Sequence, residues 1–392
     1  MSEFLFRYIK FYNIILHDFF RKGAHFFYNK EIHSICDSLY SLDSIKNLDE
    51  YYDEMKKVYT LSTKKGNYIS ETSYSFDSKF YGLWKSLCDY SNIKINDLFY
   101  TVPMLIEHGV NFSKYFNENI DKLYFSLFFQ SEYKKAMYFN IPCFAIGPYI
   151  HYAKDYYNDD EFLKIKRKLG KVLLVFPTHR TEGDLTSFDI MDFIDKCLKI
   201  ANKEYDSVVV CLYWADINNE LINLYKSYGF YVCSAGFRSD NNFLNRLKSL
   251  IKLSDCTVTN DLGTNIGYSM YLNKKTLLIK TKNLYGFMNN VSFNKDIYFN
   301  LYEKFLTYFN YSMYDLYLVE RKKIYDMFWG GENYIRSESE LKNIIEICYD
   351  IMLRSYGFVN YRKHAIKSLL NYYMANNKHK YDLLYNSIYS NI

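Results

Sequence analysis

Proline is scarce in this chain: there are 4 in 392 residues, Pro103, Pro142, Pro148 and Pro177, and none lies outside positions 103 to 177. With only 15 glycines besides, a collagenous or low-complexity chain is excluded, and rigid turns are confined to less than one fifth of the sequence. The 8 cysteines stand singly, at Cys36, Cys88, Cys143, Cys197, Cys211, Cys233, Cys256 and Cys348, and no C-x-x-C pair occurs. A disulfide framework and a cysteine-rich zinc site are therefore disfavoured, and the pattern is that of a reducing cytoplasm. No block of one charge sign is present: 49 basic and 44 acidic residues are well mixed, for a net charge of +5. Nucleic acid is not suggested as a partner, whereas a modest basic excess suits an anionic substrate or a membrane surface. The apolar N-terminus, Phe4 to Phe20, is interrupted by Arg7, Lys10, His17 and Asp18, so it reads as neither a signal peptide nor a spanning helix. A packed core helix and an amphipathic helix lying on a membrane both fit it. H-E-x-x-H, G-x-S-x-G, G-x-x-x-x-G-K-[ST] and G-x-G-x-x-G are all missing, as is a strand ending in Asp-x-Asp. These absences speak against a zinc peptidase, an α/β-hydrolase nucleophile, a P-loop, a dinucleotide fingerprint and a metal-bound nucleotide-sugar seat. No metal site is expected.

What is present is apolar and aromatic. Hydrophobic residues make up 49% of the chain and aromatic residues 20%, with 44 tyrosines, so a large core can be buried. Tyrosine is so common that stripes of it carry no functional weight. The informative stretch is Gly170 to Lys280. Apolar runs at Val172–Pro177, Val208–Tyr213, Phe230–Ala235, Cys256–Asn260 and Thr276–Ile279 lack apolar/polar alternation, as strands do when both faces of a parallel sheet are covered. Between them lie helical stripes: Ile190, Ile194, Leu198 and Ala201; Ile217, Leu221, Leu224 and Tyr228; and Phe243, Leu244, Leu247, Leu250 and Ile251, with Ser239 or Asp240 as a cap. Strand and helix in alternation predict a doubly wound α/β domain whose ligand lies beyond the carboxyl ends of the strands.

Upstream, residues 1 to 95 read as mostly helical. Three further runs, Phe99–Ile106, Tyr124–Phe129 and Cys143–Ile146, predict a second set of strands, and the charged segment Asn158 to Lys168 reads as a linker with a short helix. Beyond Lys280 only helices are expected, at 305–310, 313–328, 339–354 and 364–374, with a break at Trp329-Gly330-Gly331. The division that follows is an acceptor-side α/β region over 1–157, a Rossmann-like region over 158–285 and a helical region over 286–392.

Several polar tails stand at predicted strand ends. His179 and Thr181 follow the first strand of the main series, and can donate hydrogen bonds to phosphate oxygens; a loop histidine with an ordinary hydrogen bond is the simpler alternative. Asn260-Asp261-Leu262-Gly263-Thr264 opens a helix directly after a strand, so free N–H groups, a glycine and a hydroxyl offer a seat for a phosphate, or simply a capped turn. Arg238 and Arg246 flank the start of the third helix and could clamp a diphosphate or a carboxylate. Glu107-His108-Gly109 ends a strand in the first half, and either Glu107 or His108 could act as a general base. His151, after Gly147-Pro148, is a further candidate on that side.

On these motifs the chain resembles glycosyltransferases of the GT-B fold, in which two Rossmann-like domains face each other across a cleft. It looks most like bacterial enzymes with cytidine-nucleotide donors, the sialyltransferase and Kdo-transferase type and the polyol-phosphate transferases of teichoic acid synthesis. Thr178-His179-Arg180 resembles their His-Pro motif, with arginine where proline is usual. Asn260 to Thr264 stands for their Ser/Thr-rich phosphate turn, Glu107-His108-Gly109 for their acidic or His-Gly motif, and Gly147-Pro148-Tyr149 for the turn closing their N-domain. The resemblance implies an inverting, metal-independent transferase that needs no cofactor. It would move a sugar from a CMP-sugar, or a UDP-sugar, to a glycan or glycolipid of a bacterial surface polysaccharide, at the inner face of the cytoplasmic membrane. A nucleotide-sugar epimerase of the same architecture and a non-catalytic carbohydrate-binding protein are the alternatives.

Overall fold

A strand buried on both faces needs helices on both sides, and the series after Gly170 meets that condition. The computed structural model describes residues 78, 80–94, 102–107, 109, 110, 112, 126–131, 142–179, 188–236, 240–282 and 295–355. Five strands, β4 (Val172–Phe176), β5 (Ser207–Cys211), β6 (Tyr231–Cys233), β7 (Cys256–Thr259) and β8 (Lys275–Leu278), form one all-parallel sheet in the order β6-β5-β4-β7-β8. Successive residues of β4 go to opposite cores. Leu173 and Val175 pack with Phe193, Ile194 and Cys197, while Val172 and Leu174 join Leu247, Leu250 and Ile251. Each such side chain, taken from water, contributes about 1.5–3 kcal/mol, so the sheet is held mainly by burial on its two faces.

The crossovers are α3 (Ile190–Glu204), α4 (Asn219–Ser227), α5 (Phe243–Leu253) and α6 (Thr264–Tyr271). Asp189 caps α3 by accepting from the Asp192 N–H at 3.0 Å, and Asn218 caps α4 by accepting from Leu221 at 2.9 Å. The inward face of α4 is set by Ile222 and Tyr225, both fully buried, whereas Tyr228 is 39% exposed; the stripe expected from the sequence is displaced by about one residue. The start of α5 also departs from expectation. Its N-cap is Asn242, without a side-chain cap bond, and Asp240 instead accepts from the Asn242 N–H at 2.8 Å; Ser239 lies outside the described residues.

A smaller parallel sheet precedes this one: β1 (Leu105–Ile106), β2 (Leu127–Phe129) and β3 (Cys143–Ala145), in that order. β1 is shorter than its apolar run, because Pro103 and Met104 form a bend before it. Before the sheet comes helix α1 (Leu83–Tyr90), and the segment read as a linker is helix α2 (Asp159–Leu169), started by an Asn158/Glu161 capping box.

The helices after residue 294 are shared between the two sheets. α7 (Lys295–Tyr308) lies beside the larger sheet, where the Leu278 N–H donates to the Phe309 carbonyl at 3.1 Å. α8 (Leu318–Trp329) ends in Gly330 and Gly331, both at positive φ, and the chain then crosses to the smaller sheet. There the Arg336 guanidinium donates to the Ala145 carbonyl at 3.2 and 2.9 Å, and α9 (Glu338–Ser355) sets Tyr349 against Trp84 of α1 with ring centroids 6.5 Å apart. Among the described residues no helix is long and apolar enough to cross a membrane. The N-terminal segment Phe4 to Phe20 and the helix expected at 364–374 lie outside the described residues. Cys88, Cys143, Cys197, Cys211, Cys233, Cys256 and Cys348 are free thiols, as the single spacing implied.

Candidate functional site

The order of the larger sheet reverses between β4 and β7: from β4 the chain winds outward through β5 to β6, then returns to β7 and winds the other way. The loops leaving β4 and β7 therefore part at this point and leave a crevice between them. A cleft of about 340 Å³ occupies that position. Its floor comes from Pro177, Thr178 and His179 after β4, and from Asp261, Leu262, Gly263 and Thr264 after β7. Gly109 and Val110, after β1 of the smaller sheet, face them, so residues more than 150 positions apart line one cavity.

The loop after β7 is tied down at every turn. Asn260 is fully buried; its Oδ1 accepts from the Thr178 N–H at 2.7 Å, its Nδ2 donates to Thr281 Oγ1 at 3.2 Å, and its carbonyl accepts from the Tyr302 hydroxyl at 3.0 Å. Asn260 is thus an internal brace joining the two loops, and it is absent from the cleft lining. Asp261 accepts from Thr178 Oγ1 at 2.8 Å, from the Leu262 N–H at 2.8 Å and from the Tyr298 hydroxyl. Burial pushes its carboxyl above the usual aspartate range, and the Tyr298, Thr178 and Leu262 donors pull it only partly back.

Gly263, the N-cap of α6, has extended backbone angles and no side-chain cap bond, and the first residues of the helix, Thr264 and Asn265, line the cleft. Thr264 Oγ1 accepts from the Val110 N–H at 2.9 Å. A hydroxyl has one proton to donate as well as two lone pairs, so this tie to the smaller sheet leaves the Thr264 proton for a ligand. Behind the helix, Gly267 lies flat on the indole of Trp329, whose Nε1 donates to the Thr264 carbonyl at 3.2 Å.

His179 is exposed and stacks on Tyr213, with ring centroids 4.1 Å apart and planes 25° apart. The Tyr213 hydroxyl meets that of Tyr81 at 3.1 Å, and the Tyr81 ring lies 4.8 Å from Phe243. This gives the cleft two unlike ends: helix N–H groups and hydroxyls at α6, and aromatic rings at Tyr81 and Tyr213. Neither tyrosine stands out in a sequence with 44 of them; the signal for Tyr213 was its place at the end of β5.

The remaining candidates are dispersed. Glu107 ends β1, two residues before Gly109; its charge, after burial itself, holds the Tyr149 and Tyr268 phenols well above their ordinary value, and Tyr268 lines the cleft. Arg246 does not reach the cleft. It is 1% exposed, ion-paired with Asp240 at 2.5 Å and set over the Tyr156 ring, a structural arrangement that spends its charge inside the protein. His151 also lies elsewhere, its Nδ1 2.6 Å from the Tyr271 hydroxyl and its Nε2 3.2 Å from that of Tyr90; burial and then Lys248 lower its pKa. His108, Thr181 and Arg238 lie outside the described residues. Among the described residues, no group of three or more His, Cys, Asp or Glu is placed to hold a metal ion.

No family model matches this chain, and no curated protein matches it. Among solved structures, two of the wall teichoic acid polymerase TagF are similar at 15% identity. One covers 60% of each chain with a TM-score of 0.34. The other, with CDPG, covers 61% of this chain and 60% of that one with a TM-score of 0.33. The S. aureus MnaA–UDP co-structure is similar at 12% identity over 69% of this chain and 81% of that one, with a TM-score of 0.34. The similarity thus spans about 60% of the TagF chains. Likeness at this level assigns neither ligand nor activity to this chain.

Proposed function

We propose that the cleft binds a nucleotide-activated donor and that the chain is an inverting glycosyltransferase, with a CMP-sugar favoured as donor, a UDP-sugar as the second choice, and a surface glycan or glycolipid as acceptor. The observation that carries this reading is the placement of His179, the uncapped start of α6 and the Gly109–Val110 loop around one cavity at the switch point of a parallel sheet. The donor phosphate would lie on the α6 N–H groups and the Thr264 hydroxyl, with His179 beside it. Glu107, or the adjacent His108, would take the proton from the acceptor hydroxyl as that oxygen attacks the anomeric carbon. The bond from that carbon to the donor phosphate oxygen breaks in the same step, and the electron pair leaves with the phosphate. The helix start and the His179 imidazole would stabilise the charge that develops there by hydrogen bonding, the part a metal ion plays in other transferases. One displacement inverts the anomeric carbon.

Thermal unfolding in the presence of CMP, CDP, UDP and GDP tests the reading. At least one nucleotide is expected to raise the melting temperature, and His179→Ala to weaken that nucleotide at least tenfold without lowering the melting temperature of the free protein. Absence of any nucleotide-induced shift in the unsubstituted protein overturns it.

A further inference from the structure

The aromatic end of the cleft is built around a residue that the backbone would rather not accommodate. Tyr81 has φ 58° and ψ 21°, the left-handed region that L side chains disfavour, and Gly82 follows at φ 67°. The conformation is enforced from below. A Cβ on Gly82 would stand 2.3 Å from the Asn241 carbonyl oxygen, so the 80–82 turn is pressed against the start of α5 and cannot relax. What this turn achieves is to put the Tyr81 ring into the cleft wall, 4.8 Å from Phe243, with its hydroxyl 3.1 Å from that of Tyr213. Backbone strain held by tight packing, at a residue lining a cavity, is the usual mark of a side chain positioned for a ligand.

The geometry points to Tyr81 as the specificity residue for a flat heteroaromatic ring, the nucleobase of the donor; this rests on the function proposed above and names the part of the ligand that this end holds. The ring wall of Tyr81, Phe243 and Tyr213 is supplemented by Leu83 and Leu212 and, among the described residues, carries no carboxylate or ammonium. It is continuous, within one cavity, with the phosphate-type groups at α6, which is the order of parts in a nucleotide. Stacked rings favour any base, and the paired Tyr81 and Tyr213 hydroxyls add polar atoms at the ring edge that can prefer one. The segment before α1, for which the sequence offered no role, thereby supplies a wall of the binding site.

Two substitutions separate recognition from folding. Asparagine tolerates positive φ better than other non-glycine residues, so Tyr81→Asn removes the ring without added backbone strain, while Tyr81→Phe removes only the hydroxyl. Titration of each protein with the nucleotide that stabilises it, and with ribose 5-phosphate, is the measurement. Tyr81→Asn is expected to weaken the nucleotide about tenfold, the scale of one lost base stack, and to leave ribose 5-phosphate unchanged; Tyr81→Phe is expected to keep the affinity within about threefold while narrowing the preference between bases. Equal nucleotide affinity in Tyr81→Asn, or equal losses for both ligands, overturns the assignment and leaves the transferase reading standing. Failure of the unsubstituted protein to bind any nucleotide overturns both.

Discussion

Gly267 offers the sharpest test of how the site is supported. It lies within α6, where alanine in place of glycine would ordinarily stabilise the helix by about 1 kcal/mol. Here a Cβ would stand 2.1 to 2.3 Å from three atoms of the Trp329 indole, which is itself 0% exposed. Ordinary contact is about 3.5–4 Å, so the indole or the helix has to move by more than 1 Å inside a packed core. Overpacking of that kind costs roughly 1–3 kcal/mol, and at 2.1 Å the upper part of the range applies. Gly267→Ala should therefore destabilise the protein by about 2 kcal/mol net of the helix gain. Trp329→Leu alone should cost about 3 kcal/mol as a cavity substitution. In that background the sign reverses: Gly267→Ala becomes neutral or stabilising by up to about 1 kcal/mol, a coupling of about 2–3 kcal/mol. Urea denaturation of the four proteins measures it. Stabilisation by Gly267→Ala in the unsubstituted background would show that the indole is not seated on this helix.

Two further outcomes are expected. Asp261→Ala should cost on the order of 3 kcal/mol, because Thr178, Tyr298 and the Leu262 N–H lose a buried acceptor, and Asp261→Asn about 1 kcal/mol. The folded carboxyl has a raised pKa, so the native state binds its proton more tightly than the unfolded state does; that stability is present below the ordinary aspartate pKa and is lost as pH rises through the folded value. The advantage of the unsubstituted protein over Asp261→Asn should accordingly shrink from pH 4 to pH 7 in denaturation curves, and an advantage that grows with pH would contradict it. Arg336→Ala should destabilise by about 1–2 kcal/mol through loss of both donors to the Ala145 carbonyl, and Arg336→Lys should recover less than half, since a single ammonium cannot reproduce the planar fork; denaturant midpoints decide.

The larger sheet was legible in the sequence because its strands are buried on both faces: runs such as Val172 to Phe176 carry no alternation, and their recurrence between helical stripes fits a covered parallel sheet. The gathering of His179 with Gly263 and Thr264 followed from topology alone, since strand ends at a switch point must converge. The smaller sheet was harder to bound. Its strands are two and three residues long, too short for a period, and a bend at Pro103 cuts into the first. Arg246 is a candidate cation for a ligand from sequence because local spacing does not reveal that Asp240 turns back to pair with it. Tyr81 was invisible for a different reason: nothing in the sequence announces a left-handed tyrosine, which is imposed by the distant Asn241 carbonyl against Gly82. Asp261 stood within a recognised turn, but its weight comes from Tyr298, 37 positions downstream.

The crossing after Gly331 has an implication for how this molecule can be cut. The three short strands near residues 105 to 145 share one core with Ile344, Ile345 and Cys348 of α9, at the far end of the described chain, so they do not form a self-contained piece with the residues that precede and follow them. Cleavage near residue 158 followed by separate expression would leave the first fragment without that cover and the second with an uncovered apolar helix. The two pieces are expected to become soluble only when produced together, which makes their mutual rescue a direct readout of the long-range closure of the chain.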